Sequence, residues 1–197
     1  MIYQLAPVAR KFEPFVWWEG AFNEQELDYL QNLAKNSTDR AQVGSQEVND
    51  TEGLLNKIRR SNVSWLNHED PESLWVFERL GEVASQMNAE HYQLDLTGFG
   101  EGMQLTNYNG SEQGMYGWHQ DYNSSLSRKL SIVLQLSDPA DYEGGNLQVK
   151  TGLEDFNVRK QRGLVAIFPS YTVHQVTPVV QGTRQSLVAW ISGPQFK

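Results

Sequence analysis

The sequence contains no cysteine. That excludes a disulfide framework, a thiolate metal site and a thiol nucleophile. No apolar run approaches the roughly 18–20 residues needed to span a bilayer. The opening MIYQLAPVARKFEP lacks the basic-then-apolar order of a signal peptide. Positive charge is also scarce: 16 Lys and Arg stand against 24 Asp and Glu, a net charge of −8. Non-specific nucleic-acid binders need a basic face, so this balance argues against one. Internal repeats and low-complexity tracts are absent. Aromatic residues, by contrast, make up 11%, with six Trp, too many for a disordered chain. A length of 197 residues suits one domain. The expectation is a single globular, cytoplasmic domain over 1–197, with no membrane and no nucleic-acid partner. Nothing in the sequence specifies an oligomeric state.

The chain changes texture near residue 100. Upstream, helical spacing dominates. Leu27, Leu30, Leu33 and Ala34 form one stripe of a helix over 24–35. Asn23 and Glu26 have the spacing of a capping box, with Phe22 placed as a hydrophobic staple. Leu74, Phe77, Leu80, Val83, Ala84 and Met87 predict a second helix within 71–91. Ser37 to Gly53 is polar and reads as a loop, equally suited to a lid or to plain solvation. Arg59 to Trp65 reads as a strand or edge, whose Arg59 and Arg60 could meet an acidic ligand but better fit a solvated edge. Trp17, Trp18, Trp65 and Trp75 are expected to anchor helices to a sheet.

Downstream, residues 101–197 read as short strands divided by Gly and Pro. They are expected over 102–109, 118–122, 129–137, 146–150, 156–159, 164–168, 172–177 and 185–192. Eight such strands suggest a jelly roll, with residues 1–100 as helical support.

There are four His, of which two stand in strands. His119 and Asp121 are two apart, so a strand through both projects them to one face. His174 lies in another strand. Two imidazoles and one carboxylate can occupy one face of an octahedral metal, the facial triad of non-haem Fe(II) sites. The same residues also fit a histidine hydrogen-bonded to its neighbour, and the pair alone does not decide. Arg184 precedes Ser186, Val188 and Trp190 on one face of the last strand. An inward Arg is costly unless it meets an anion; a surface ion pair is the plain alternative.

Taken in order, Tyr108, Trp118-His119-Gln120-Asp121, Tyr142-Glu143-Gly144-Gly145-Asn146-Leu147, Phe168-Pro169-Ser170, His174 through Val179 and Gly182 through Trp190 resemble the Fe(II)- and 2-oxoglutarate-dependent dioxygenases. Within them the pattern is similar to the prolyl-4-hydroxylase-like branch, especially small bacterial and phage hydroxylase-like proteins. The resemblance covers about 101–193 and implies a mainly β, helix-supported (α+β) double-stranded β-helix, a cupin-like jelly roll. It implies His119, Asp121 and His174 as metal ligands and catalytic centre. Arg184, Tyr108, Gln135 and Trp190 then contact 2-oxoglutarate or line its site, and Leu147 walls it. The implied cofactors are Fe(II), 2-oxoglutarate and O2, with ascorbate for reactivation. Relatives that halogenate lack the carboxylate present here as Asp121, which favours hydroxylation. A prolyl residue in a protein or peptide is the favoured substrate, with succinate and CO2 as coproducts. The rivals are a hydroxylase of a free amino acid or other small molecule, and a non-catalytic jelly-roll binding module. Tyr116 and Trp118 fit ordinary aromatic packing better than substrate contact.

Overall fold

The computed structural model describes residues 13–42, 57–122 and 127–195. Two antiparallel sheets face one another. The elements run β1 (Val16–Trp18), α1 (Glu24–Lys35), β2 (Asp39–Arg40), β3 (Arg59–Arg60), β4 (Asn62–Leu66), α2 (Leu74–Met87), β5 (Gly98–Phe99), β6 (Met103–Asn109), β7 (Met115–His119) and β8 (Arg128–Gln135). They continue β9 (Tyr142–Gly144), β10 (Leu147–Thr151), β11 (Glu154–Asn157), β12 (Val165–Pro169), β13 (His174–Val176) and β14 (Val179–Ser192). The major sheet has the order β1-β12-β8-β14-β6-β4-β2, with β5 and β9 also paired to β14. The minor sheet has the order β11-β10-β13-β7-β3. This is the double-stranded β-helix.

Alternation along β8 explains the layering. Leu130, Ile132 and Leu134 join an outer core with Leu27, Leu30 and Ala34 of α1 and Phe77, Leu80 and Ala84 of α2. Val133, on the opposite face, joins an inner core between the sheets with Leu147, Ala166, Phe168 and Val176. The helices thus seal the back of the major sheet and leave its front free to enclose a site. The start of α1 is the expected capping box: Asn23 Oδ1 accepts from the Glu26 N–H and Glu26 Oε2 from the Asn23 N–H. Helix α2 passes into a π-helical turn, Asn88–Tyr92, closed by Gln93 at φ +55°.

Several elements differ from their sequence reading. The strand expected over 118–122 lies upstream, at Met115–His119, so Asp121 stands beyond its end. The last strand begins at Val179, which puts Arg184 inside it. Asp39–Arg40, read as loop, pairs with β4; residues 43–53 of that loop lie outside the described residues. Trp18 and Trp75 pack against the outer core, whereas Trp17 and Trp65 are exposed. No helix among the described residues is long and apolar enough to cross a membrane.

Candidate active site

Strand register assembles the site. In the minor sheet, β7 and β13 pair so that His119 stands directly opposite His174. Their rings lie 4.2 Å apart. Asp121 follows β7, fixed by its backbone N–H, which donates to Ser170 O at 2.9 Å. Its carboxylate sits between the histidines, with Oδ1 3.6 Å from His119 Nε2 and Oδ2 3.5 Å from His174 Nε2. Ser131 of β8 donates to Oδ2 at 2.7 Å.

The imidazoles share one orientation. His119 Nδ1 is 2.7 Å from Gly117 O and His174 Nδ1 is 2.9 Å from Thr172 O. A carbonyl only accepts, so each Nδ1 carries the proton and each Nε2 presents a lone pair. One ligand atom from each residue then falls within 4.8 Å of the others. Two neutral nitrogens and one carboxylate oxygen, each held by an outer hydrogen bond, fit a divalent transition ion.

Electrostatics keep those donors in the binding-competent form. Burial, and then the His174 imidazole, pull the His119 pKa down from 6.5 to about 4. Burial pushes the Asp121 carboxyl up, but His174, His119 and the Ser131 hydroxyl outweigh it and hold it below its ordinary value. Both shifts give stability the same pH dependence. Between pH 4 and 6.5 the unfolded chain binds a proton that folded His119 refuses. Stability therefore rises with pH there, by at most about 1.4 kcal/mol per unit from this group. The Asp121 contribution is present above its ordinary pKa and is lost as pH falls through the lowered value. The urea midpoint of the metal-free protein is expected to drop between pH 6.5 and 4, and less steeply in His119→Gln. Equal slopes for the two proteins would contradict this charge assignment.

The triad opens into a cavity of about 300 Å³. Arg184, Ser186, Val188 and Trp190 of β14 all line it, as do Tyr108, Val133, Leu147 and Val176. Arg184 is only 2% exposed. Its Nη1 donates to Ser186 Oγ at 3.2 Å, its Cζ lies 5.4 Å from the Tyr108 ring centre, and Nη2 has no hydrogen-bond partner. It makes no ion pair among the described residues. A buried, unpaired guanidinium is costly unless an anion arrives to meet it.

Gln135 corrects its sequence reading. It lies on the same face of β8 as Ser131 and Val133, yet beyond the cavity wall, and its amide donates to Arg159 O at 2.7 Å. Arg59 is a second correction: it is 7% exposed and lines the cavity rather than a solvated edge. Tyr116 also lines it, stacked on His119 at 3.5 Å. Trp65 reaches the cavity from β4 and sits 6.2 Å from Trp190. Ser131, which steadies Asp121, carried no sequence signal beyond strand alternation, and Ser170 stood in the sequence only as the end of the Phe168-Pro169-Ser170 segment.

Fold and site together define a double-stranded β-helix protein with a facial two-histidine, one-carboxylate centre. Residues 103–192 match the 2OG-Fe(II) oxygenase superfamily model. A PKHD-type hydroxylase of Synechococcus sp. strain CC9605 is 46% identical over 79 residues, 39% of this chain and 36% of that protein. One from Prochlorococcus marinus is 42% identical over 83 residues, 41% and 38% of the two chains. The matched region thus spans little more than a third of these relatives' length. Among solved structures, a Pseudomonas putida prolyl-4-hydroxylase superposes with TM-score 0.70 at 20% identity, covering 91% of this chain and 92% of its own. A Trichoplax adhaerens prolyl hydroxylase, in complex with a hypoxia inducible factor peptide fragment, gives TM-score 0.73 at 18% identity, covering 91% and 84%.

Proposed function

We propose that the chain is a 2-oxoglutarate-dependent hydroxylase acting on an unactivated carbon, with a prolyl residue of a protein or peptide as favoured substrate. The observation that carries this reading is Arg184: a buried cation without an acid partner, in the same cavity as the triad. A metal-binding cluster alone fits many proteins. A cluster beside a charge that lacks its counterion fits a bound organic acid. A non-catalytic module would have no use for either.

In this reading His119, Asp121 and His174 hold Fe(II), which supplies the oxygen activation that protein side chains cannot. Arg184 takes the distal carboxylate of 2-oxoglutarate, and its forked geometry sets the orientation of the acid. Tyr108, its cross-strand neighbour, supports that guanidinium. Val133, Leu147, Val176 and Val188 exclude water around it. In the balanced reaction one oxygen atom goes to succinate, with release of CO2, and the other to the substrate hydroxyl.

Gly145 is part of the same device. It has φ +58°, and a Cβ there would stand 2.9 Å from Val179 Cγ2 and 3.0 Å from Arg184 Cδ. Gly145→Ala is expected to cost about 1–2 kcal/mol from the left-handed backbone and to weaken 2-oxoglutarate binding by displacing Arg184. Calorimetric titration checks this; unchanged affinity would show that Arg184 is not constrained from that side.

The direct test incubates the protein with Fe(II), 2-oxoglutarate and O2 against proline-containing peptides and, separately, free amino acids. Succinate matched one-for-one by a substrate gaining one oxygen is expected with a peptide. Matched turnover of free amino acids alone would transfer the activity to small molecules. No succinate above the metal-free control in any mixture would overturn the reading.

A further inference from the structure

Arg59 is the second buried cation of the cavity. Its three nitrogens meet only neutral acceptors: Nε donates to Ser61 Oγ at 2.9 Å, Nη2 to Gln104 Oε1 at 2.7 Å and Nη1 to Gln42 O at 3.3 Å. These use three of its five N–H donors. No carboxylate among the described residues pairs with it. The remaining cavity charges are all matched. Arg128 forms a two-pronged pair with Glu101, 2.6 Å on each prong. Asp121 and the two carboxylates of 2-oxoglutarate balance a divalent metal and Arg184. With the site loaded, Arg59 is the charge left over among the described residues.

Its position tells which molecule must neutralise it. Arg59 pairs with Tyr116 across the β3–β7 ladder, and its Cζ lies 4.5 Å from the centre of the Tyr116 ring. The same ring is stacked on His119 at 3.5 Å. Arg59 therefore stands one aromatic ring away from a metal-ligand position. Arg184 stands elsewhere in the cavity, on β14 beside Tyr108. Two separated cations flanking one reaction centre suit two different anions.

We infer that the substrate carries a carboxylate, and that Arg59 binds it and thereby sets which carbon faces the metal. Within the hydroxylase reading on which this rests, the substrate class is an acid: a peptide with a free C-terminal carboxylate, or a free imino or amino acid. Arg59 is a specificity residue for that charge. Its other hydrogen bonds hold the guanidinium plane, so it meets the carboxylate without first being ordered.

The test is equilibrium binding by calorimetry, with redox-silent Mn(II) in place of iron. The protein is first saturated with Mn(II) and 2-oxoglutarate. It is then titrated with L-proline against L-prolinamide, and with the peptide Ala-Ala-Pro as free acid against its amide. Each pair differs only in the negative charge. In at least one pair the acid is expected to bind at least about tenfold more tightly, the low end for a charge-assisted contact. That preference should vanish in Arg59→Gln and persist in part in Arg59→Lys, with 2-oxoglutarate affinity unchanged in both. Preference in the small pair identifies a free imino acid as the source of the carboxylate; preference confined to the tripeptide identifies a peptide terminus. Equal binding of acid and amide, binding of neither while 2-oxoglutarate binds, or a preference that survives Arg59→Gln overturns the inference. The wild-type comparison stands even if Arg59→Gln fails to fold. Failure of 2-oxoglutarate itself to bind overturns the hydroxylase reading instead, and this inference with it.

Discussion

Replacing Asp121 with Ala is expected to abolish succinate formation while leaving the fold in place. The carboxylate lies between the two Nε2 atoms, at 3.6 and 3.5 Å, and is the only anionic donor of the cluster. Without it two neutral imidazoles remain, and divalent-metal affinity should fall by more than the 10- to 100-fold that loss of an outer-sphere partner typically costs. The fold should survive because Asp121 lies outside the strands and belongs to neither hydrophobic core. Ser131, which loses its acceptor, retains Ser170 Oγ at 3.1 Å. Circular dichroism and a coupled succinate assay on one preparation check both halves. Turnover near wild type would remove Asp121 from the ligand set.

Arg184 should show an opposition between binding and stability. Arg184→Met removes the guanidinium that meets the distal carboxylate. Loss of a desolvated charge pair of about 3 kcal/mol corresponds to roughly a 100-fold weaker affinity for 2-oxoglutarate. The ligand-free protein should move the other way. A cation 2% exposed, with one amino group unpartnered, is a burden until its anion binds. An apolar side chain of similar length should raise stability by an amount on the order of 1–4 kcal/mol, as when buried ionic groups are replaced by apolar ones. The melting temperature without ligand should rise, and the increment from saturating 2-oxoglutarate should shrink. A variant that keeps its affinity for the acid would show that the acid binds elsewhere.

Much of the site was legible in the sequence because strand alternation is a strict rule. Arg184, Ser186, Val188 and Trp190 share a face by period two, and all four line the cavity. Alternation says nothing of depth, however. Gln135 shares the face of Ser131 and Val133 but falls past the end of the cavity, where it bonds Arg159 instead. The placement of His119 beside Asp121 came out correctly from a different cause. The residues were read as strand neighbours, whereas Asp121 is held by the backbone of Ser170 in the segment after β7. Arg59 was misread for a related reason. Two adjacent arginines in a two-residue strand must point opposite ways, and only the pairing of β3 with β7 decides which turns inward. Such long-range pairing leaves no local periodicity. The helices posed no such difficulty, since α1 carries both its stripe and its capping box within its own sequence.

The most direct test of the central claim is an anaerobic titration of the metal-free protein with Fe(II) and 2-oxoglutarate, followed in the visible range. The account predicts a charge-transfer band that saturates at one equivalent of each and is absent in His174→Ala. A folded protein that develops no band would mean that the cavity does not join iron to the oxo acid, and the hydroxylase reading would fall.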